Sequence, residues 1–271
     1  MILPMVSVVV PVFNGEQFID EALASLRCEQ KIAVEIIVVD DGSTDGSVGI
    51  VKALAEQDSR IHLLTGDHRG VAATRNIGVR AAAGEYITFL DCDDICPPGR
   101  IARQALKLAS DNSVAVVVGE TIWFEALTPE LEPVPGTRRM RGLCVTLHSA
   151  LFRRSVFETY GLFDDQVLAC EDLDFFLRLS EGGARFLIET EIASLYRRHP
   201  GNITRDIHLE QRGTLLALRK SIARRRAAGR SGPPDVFFTR RFAMETVFSS
   251  AGAETLSTTP ADPPSSNNDV P

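Results

Sequence analysis

Three acids fall within four residues in the run Asp91-Cys92-Asp93-Asp94, directly after the apolar segment Tyr86-Ile87-Thr88-Phe89-Leu90. If extended backbone continues to Asp93, Asp91 and Asp93 point to one side and Cys92 to the other. Two hard oxygen ligands at a strand end suit a divalent cation, Mn2+ or Mg2+, shared with substrate phosphates. An acidic turn capping the next helix is the plainer alternative, although one acid would serve there and three repel one another.

A second acidic run, Asp40-Asp41-Gly42-Ser43-Thr44-Asp45, follows the apolar Val38-Val39. Ser43 or Thr44 fits a helix N-cap. Asp40 and Asp41, set against the buried end of a strand, can accept hydrogen bonds from a nucleobase N–H or from ribose hydroxyls. Glu171-Asp172 opens a helical pattern, where acids complement the helix dipole by about 0.3–1 kcal/mol or act as a general base; position alone does not choose. The run Pro11-Val12-Phe13-Asn14-Gly15 is not the G-x-G-x-x-G of a dinucleotide fold, which removes the main support for a nicotinamide or flavin enzyme. Trp123 and Phe124 either line an acceptor site or pack partly buried.

These residues need a frame, and the chain supplies one by alternating strand and helix signals. Strands are expected at residues 6–10, 35–39, 61–64, 86–90 and 114–118. Helical spacing marks 18–26, 48–55, 71–83, 97–110 (with prolines at its start), 152–160, 171–180 and 208–226. This alternation predicts an α/β fold with a mostly parallel central sheet flanked by helices. In such sheets ligands bind beyond the carboxyl ends of the strands, where the acidic runs lie. Residues 126–141, rich in Pro, Gly and Arg, read as a mobile loop.

Composition narrows the class. The chain has 271 residues, 44% of them hydrophobic and 24% charged, which is enough for one large core. No apolar run approaches the roughly 18 residues of a membrane span, and Met1 to Met5 show no secretory signal, so a cytoplasmic protein is expected. Five scattered cysteines read as reduced thiols, without the paired spacing of a zinc site. The net charge of −7 divides unevenly: residues 219–241 hold eight Lys/Arg and one acid. An acidic body with one basic patch argues against general nucleic-acid binding and leaves open an anionic membrane at its inner face or a phosphate-bearing partner; a solvated helix end is the alternative.

Taken together and in order, the motifs resemble those of the family 2 glycosyltransferases. They are Val6-Ser7-Val8-Val9-Val10-Pro11-Val12-Phe13-Asn14, Val38-Val39-Asp40-Asp41-Gly42-Ser43-Thr44-Asp45, Gly70-Val71-Ala72-Ala73-Thr74-Arg75-Asn76-Ile77-Gly78 and Gly84-Glu85-Tyr86-Ile87. Phe89-Leu90-Asp91-Cys92-Asp93-Asp94, Tyr160-Gly161-Leu162-Phe163-Asp164 and Glu171-Asp172-Leu173-Asp174-Phe175 continue the series, so that residues 5–205 are covered. The resemblance implies a GT-A fold, a nucleotide-diphosphate sugar donor and inversion at the anomeric carbon. It implies that Pro11, Phe13, Asp40, Asp41, Arg75 and Asp91 form the nucleotide-sugar site, with Phe13 against the base and Asp41 hydrogen-bonded to it. It implies Asp93, with Asp91, as ligands of Mn2+ or Mg2+, and Asp172 as the catalytic base, with Glu171 supporting the loop and Asp174 a surface acid. The segment Tyr196-Arg197-Arg198-His199-Pro200-Gly201-Asn202-Ile203-Thr204 resembles one in which some members carry a metal-adjacent His, so His199 is a further candidate ligand.

The chain lacks the Gln-x-x-Arg-Trp box of processive polymer synthases, since Gln211-Arg212-Gly213 has no Trp, and a single-addition enzyme is the better expectation. Cys92 stands where Ser or Ala is common. A carboxylate accepting from a base N–H favours UDP over dTDP or GDP, and the acceptor is expected to be a glycan or a lipid-linked sugar. A sugar nucleotidylyltransferase would need a basic Gly-rich loop after the first strand, which Phe13-Asn14-Gly15-Glu16 does not provide. A non-catalytic binding module of the same fold would be expected to have lost one of Asp41, Asp91, Asp93 or Asp172. The expected organisation is a catalytic domain at 1–205, a basic helical extension at 206–250 and a disordered tail at 251–271.

Overall fold

The computed structural model describes residues 4–134, 139–143, 146–167, 169–202, 206–230 and 245–247. Cys144, the tail at 251–271 and much of the basic segment beyond 230 lie outside them.

Strands β1 (Val6–Val12), β2 (Val34–Asp40), β3 (Ile61–Thr65) and β4 (Tyr86–Phe89) are joined by helices α1 (Ile19–Arg27), α2 (Ser47–Gln57) and α3 (Val71–Ala81). They lie parallel in the order β3-β2-β1-β4. Every residue of β1 is buried, as expected for a central strand covered on both faces. Its side chains alternate: Val6, Val8, Val10 and Val12 enter one core with Leu23, Val51 and Ile101, while Val9 enters the other with Val79, Phe152 and Phe175. Helix α3 lies very close on that second face, since a Cβ on Gly78 would stand 2.3 Å from Val9 Cγ1.

Beyond β4 the sheet becomes mixed. Helix α4 (Arg100–Ser110) leads to β5 (Val116–Phe124); then come β6 (Arg139–Gly142), β7 (Ala150–Arg153), α5 (Ser155–Tyr160), α6 (Glu171–Glu181), β8 (Phe186–Arg197), α7 (Ile207–Ala227) and β9 (Glu245–Val247). The path continues β4-β7-β5-β6-β9, and β8 pairs in parallel with β5. Strand β7 runs antiparallel to both β4 and β5.

Four local expectations change. Phe152, expected in a helix, is in β7, because Leu151 and Phe152 are buried between two strands and cannot turn away from either. The end of the expected loop at 126–141 is β6, which pairs with Thr121–Trp123 of β5. Pro97 and Pro98 precede α4, whose cap is Gly99 at φ 70°. Strand β8 had no strand expectation, and its register against β5 is irregular around Glu120. Under α5 and α6 an aromatic cluster forms: Phe163 and Phe157 stand 4.8 and 5.1 Å from Phe175, and Phe152 stands 5.8 Å from it. No helix among the described residues is long and apolar enough to cross a membrane.

Candidate active site

The site lies past the carboxyl ends of β1, β2 and β4. Strand β4 stops at Phe89, and Asp94 N donates to Asp91 O at 3.0 Å, closing a turn over the acidic run. Extended backbone therefore does not reach Asp93, contrary to expectation. Backbone donors and basic side chains, unavailable to a bare strand, hold the turn: Arg197 N donates to Asp94 Oδ1 and Arg197 Nε to Asp93 O, each at 2.9 Å. Arg197 is fixed in turn between the rings of Phe18 and Phe124, 5.0 and 5.1 Å from their centroids. Phe124 is thus fully buried support and lines no open surface.

Asp93 faces β8. Its Oδ2 lies 2.8 Å from His199 Nε2 and 3.2 Å from Asn202 Nδ2. Asn202 also accepts from His199 N at 2.6 Å, which holds the imidazole in place. Burial, with Asp91 nearby, pushes the Asp93 carboxyl above its usual range, and His199 opposes the shift. A carboxylate destabilised by a second carboxylate, beside an imidazole and still part-open, is the donor set a hard-to-borderline divalent cation fits. Asp91, Asp94 and His148 also bring three ligand atoms within 4.8 Å of one another. There, however, the Asp94 and His148 side chains are 0% and 4% exposed, whereas those of Asp93 and His199, also bonded to each other, stay about one fifth open to solvent. That pair serves the fold, so the Asp93–His199 side is the better cation site.

Arg75 connects the strand end to the helix carrying Asp172. It is 6% exposed; Nη2 donates to Asp91 Oδ1 at 2.5 Å, and Nη1 pairs with Glu171. Burial opposes its charge, but Asp91 and Glu171 outweigh that and raise its pKa. Burial lifts Glu171 to about 7, with Asp172 adding to the rise and Arg75 opposing it. For Asp91 burial pushes up, Arg75 pulls down, and the net value is low. Asp172, half-buried, accepts from Leu173 N at 2.7 Å and is pushed above the usual aspartate range by burial. Just before it, Cys170 takes φ 61°, a left-handed conformation uncommon outside glycine, with its Sγ set toward Thr214 Oγ1 at 3.4 Å. Asp174 is not a surface acid: it is 1% exposed and pairs with Arg178 and Arg224 at 3.0 and 2.9 Å.

On the β2 side, Asp41 accepts from Arg69 N and Gly70 N at 3.0 and 2.9 Å, fixing the loop that enters α3. Asp40 accepts from Gly42 N and Ser43 N, both at 3.2 Å. Ser43 and Thr44 do not cap α2. They tie its loop to the one after β1: Asn14 N donates to Ser43 Oγ and Thr44 N to Asn14 Oδ1, each at 2.8 Å. Phe13 is 47% exposed and stands 4.4 Å, ring to ring, from His68. Pro11 departs from the expectation of a contact residue: it is buried within β1 opposite Val39. Asp41 also borders a cavity of about 130 Å³, smaller than the ~300–1,000 Å³ of ordinary ligand pockets.

The structure thus brings Asp91, Arg75, Glu171 and Asp172 together, sets Asp93 with His199 beside them, and places Phe13 and Asp41 on the β1–β2 side. Sequence reading missed Asn202, Arg197, His148 and His68. Asn202 and Arg197 lay inside the quoted motif around His199, whereas His148 and His68 carried no local signal.

Comparison with known proteins agrees with this geometry. A family model described as glycosyl transferase family 2 matches residues 7–161, more than half of the chain. The uncharacterized glycosyltransferase EpsJ of Bacillus subtilis is 30% identical over 220 residues, covering 74% of this chain and 63% of that protein. The chain therefore spans less than two thirds of that relative's length. Among solved structures, the mannosyltransferase PcManGT from Pyrobaculum calidifontis, in complex with GDP-Man and Mn2+, is similar with a TM-score of 0.65 and 22% identity, over 88% of this chain and 68% of that one. S. aureus TarS in complex with UDP-GlcNAc is similar with a TM-score of 0.60 and 18% identity, over 74% of this chain and 61% of that one. Both carry the GT-A fold.

Proposed function

The chain belongs to glycosyl transferase family 2, and on that premise we propose that it moves a single sugar, with inversion, from a nucleotide-diphosphate sugar to a hydroxyl of a glycan or lipid-linked acceptor. The observation that carries this reading is the double pairing of Arg75, which sets the start of α6 beside the strand-end acids.

Phe13 offers an exposed ring to the base, and Asp41 lies beside it with its carboxylate fixed by two backbone donors. A carboxylate acceptor at a base N–H favours uracil, so UDP-sugars are the first choice, with dTDP- and GDP-sugars next. Asp93 and His199, with Asp91 nearby, would hold Mn2+ or Mg2+, whose chemistry there is neutralisation of charge on the leaving diphosphate. Asp172 takes the proton of the acceptor hydroxyl as it attacks, which turns a poor nucleophile into an adequate one. Its raised pKa suits that task, because a stronger base accepts the proton more readily. Attack from the face opposite the leaving group inverts the anomeric carbon, and no sugar becomes bonded to the enzyme. Arg75, with both terminal nitrogens engaged by acids, acts as a positioning residue that keeps Asp91 and the helix carrying Asp172 in register. The proposed catalytic unit is 1–205, in a protein working at the cytoplasmic side of the membrane; of the basic segment expected to be helical over 206–250, the described elements are helix α7 (Ile207–Ala227) and the short strand β9 (Glu245–Val247).

The test is incubation with Mn2+ and a panel of nucleotide sugars, reading nucleoside-diphosphate release and thermal shift. Release or stabilisation by one donor class supports the reading. If no donor binds or turns over, it fails.

A further inference from the structure

Helix α7 has two unlike faces. Gly213, Ala217 and Ser221 are buried, and a Cβ on Gly213 would stand 2.1 Å from Ala169 O, so this face is pressed against the entry to α6. Lys220 and Arg224 reach from it to Asp164, Asp174 and Glu181. Away from that contact, Ile207, Leu215, Leu218 and Ile222 are 62, 62, 38 and 51% exposed. At about 100° per residue they share an arc of about 80°, forming a row about 22 Å long. Gln211 interrupts the row after Ile207, while Leu215, Leu218 and Ile222 adjoin one another, and exposed apolar surface of this kind marks an interaction site.

Charge identifies the partner. Arg212, Arg219 and Arg226 are exposed along one edge of the row, at about 100–140° on the same helical wheel. Glu210 is the helix's one acid, and it falls off the row. We propose that this face of α7 seats the protein on a bilayer surface containing anionic lipids, with the apolar row at the acyl boundary and the arginines among the headgroups. The chain as a whole carries −7, so an anionic surface repels most of the body and attracts this face, which fixes orientation as well as contact. Pairing with a second copy fits less well, because two such faces would bring arginines together with no acid to answer them. Since α7 is clamped to α6, a seated α7 also sets the angle of the Asp172 helix to the surface.

The proposal is tested by sedimenting the full chain with vesicles of phosphatidylcholine alone and of phosphatidylcholine with phosphatidylglycerol, at low salt and without any sugar donor. Binding is expected only to the anionic vesicles and falls as salt is raised. The double variant Leu215→Gln/Ile222→Gln loses about tenfold or more in partitioning, as does Arg212→Gln/Arg219→Gln/Arg226→Gln. Both are changes at exposed positions and keep the wild-type melting curve. Absence of binding by the wild type overturns the proposal. So does a double variant that binds as well as the wild type, or a wild-type dimer that the double variant dissolves. Vesicle binding is read without turnover, so failure of the donor assays leaves this result standing.

Discussion

Asp93 and His199, 106 residues apart in the chain, meet with Oδ2 and Nε2 at 2.8 Å. One comes from the turn after β4 and the other from the exit of β8, so the two halves of the sheet close on each other there. If the pair holds a cation, Asp93→Ala removes its oxygen donor and lowers kcat by about 10²–10³. His199→Ala weakens metal affinity more than it lowers saturated rate. Initial rates titrated with Mn2+ separate the two effects, and an Asp93→Ala enzyme with wild-type rate and metal dependence would count against the assignment.

Asp172→Asn keeps shape and removes the proposed base, so transfer should fall by about 10²–10⁴ while donor affinity stays within about twofold. The base must be ionised to act, and its folded pKa lies above the ordinary 3.8. Rate should therefore rise with pH along an acid limb whose midpoint is displaced upward. Pre-steady-state transfer measured across pH checks this, and the limb should vanish in the variant.

Arg75→Met leaves Asp91 and Glu171 without their shared cation. Breaking a buried pair costs about 3–5 kcal/mol when the remaining charge is uncompensated. The orphaned acids have raised pKa values in the folded variant, so the penalty is full where they are ionised and is relieved as they take up protons. Urea melts should show the larger loss at about pH 8 and a smaller one at about pH 5. An equal loss at both would mean that packing, not charge, is what Arg75 supplies.

Phe13 is half exposed against His68, an arrangement that leaves a ring face for a base. Phe13→Ala should raise donor KM by about two- to tenfold, the worth of about 0.5–1.5 kcal/mol of aromatic contact, with kcat nearly unchanged and stability unaffected. Donor-concentration series on both enzymes decide it.

The parallel half of the fold was legible because its strands are short runs rich in Val, Ile, Leu and aromatic residues, so that local pattern and tertiary burial ask for the same thing. Phe152 shows where this ends. Ala150-Leu151-Phe152 is too short to display a period, and only its burial between β4 and β5 makes it a strand. The acidic residues were legible as a group, but their directions were not. The turn at Asp91–Asp94 depends on Arg197, a residue 103 positions from Asp94, and Asp174 shares its second oxygen with Arg224 of a later helix, in addition to its local partner Arg178. Charges whose partners are remote look exposed in a sequence.

The phenylalanine cluster beneath α6 carries a kinetic consequence. Phe175 and Phe176 are wholly enclosed, so amides in the middle of that helix exchange with solvent only when the domain opens globally. The loops carrying Phe13 and His68 lack such an anchor and exchange through small local openings. Deuterium uptake should therefore separate a slow helix bearing Asp172 from fast loops around Phe13 and His68, and an arriving donor would register as slowing confined to those loops.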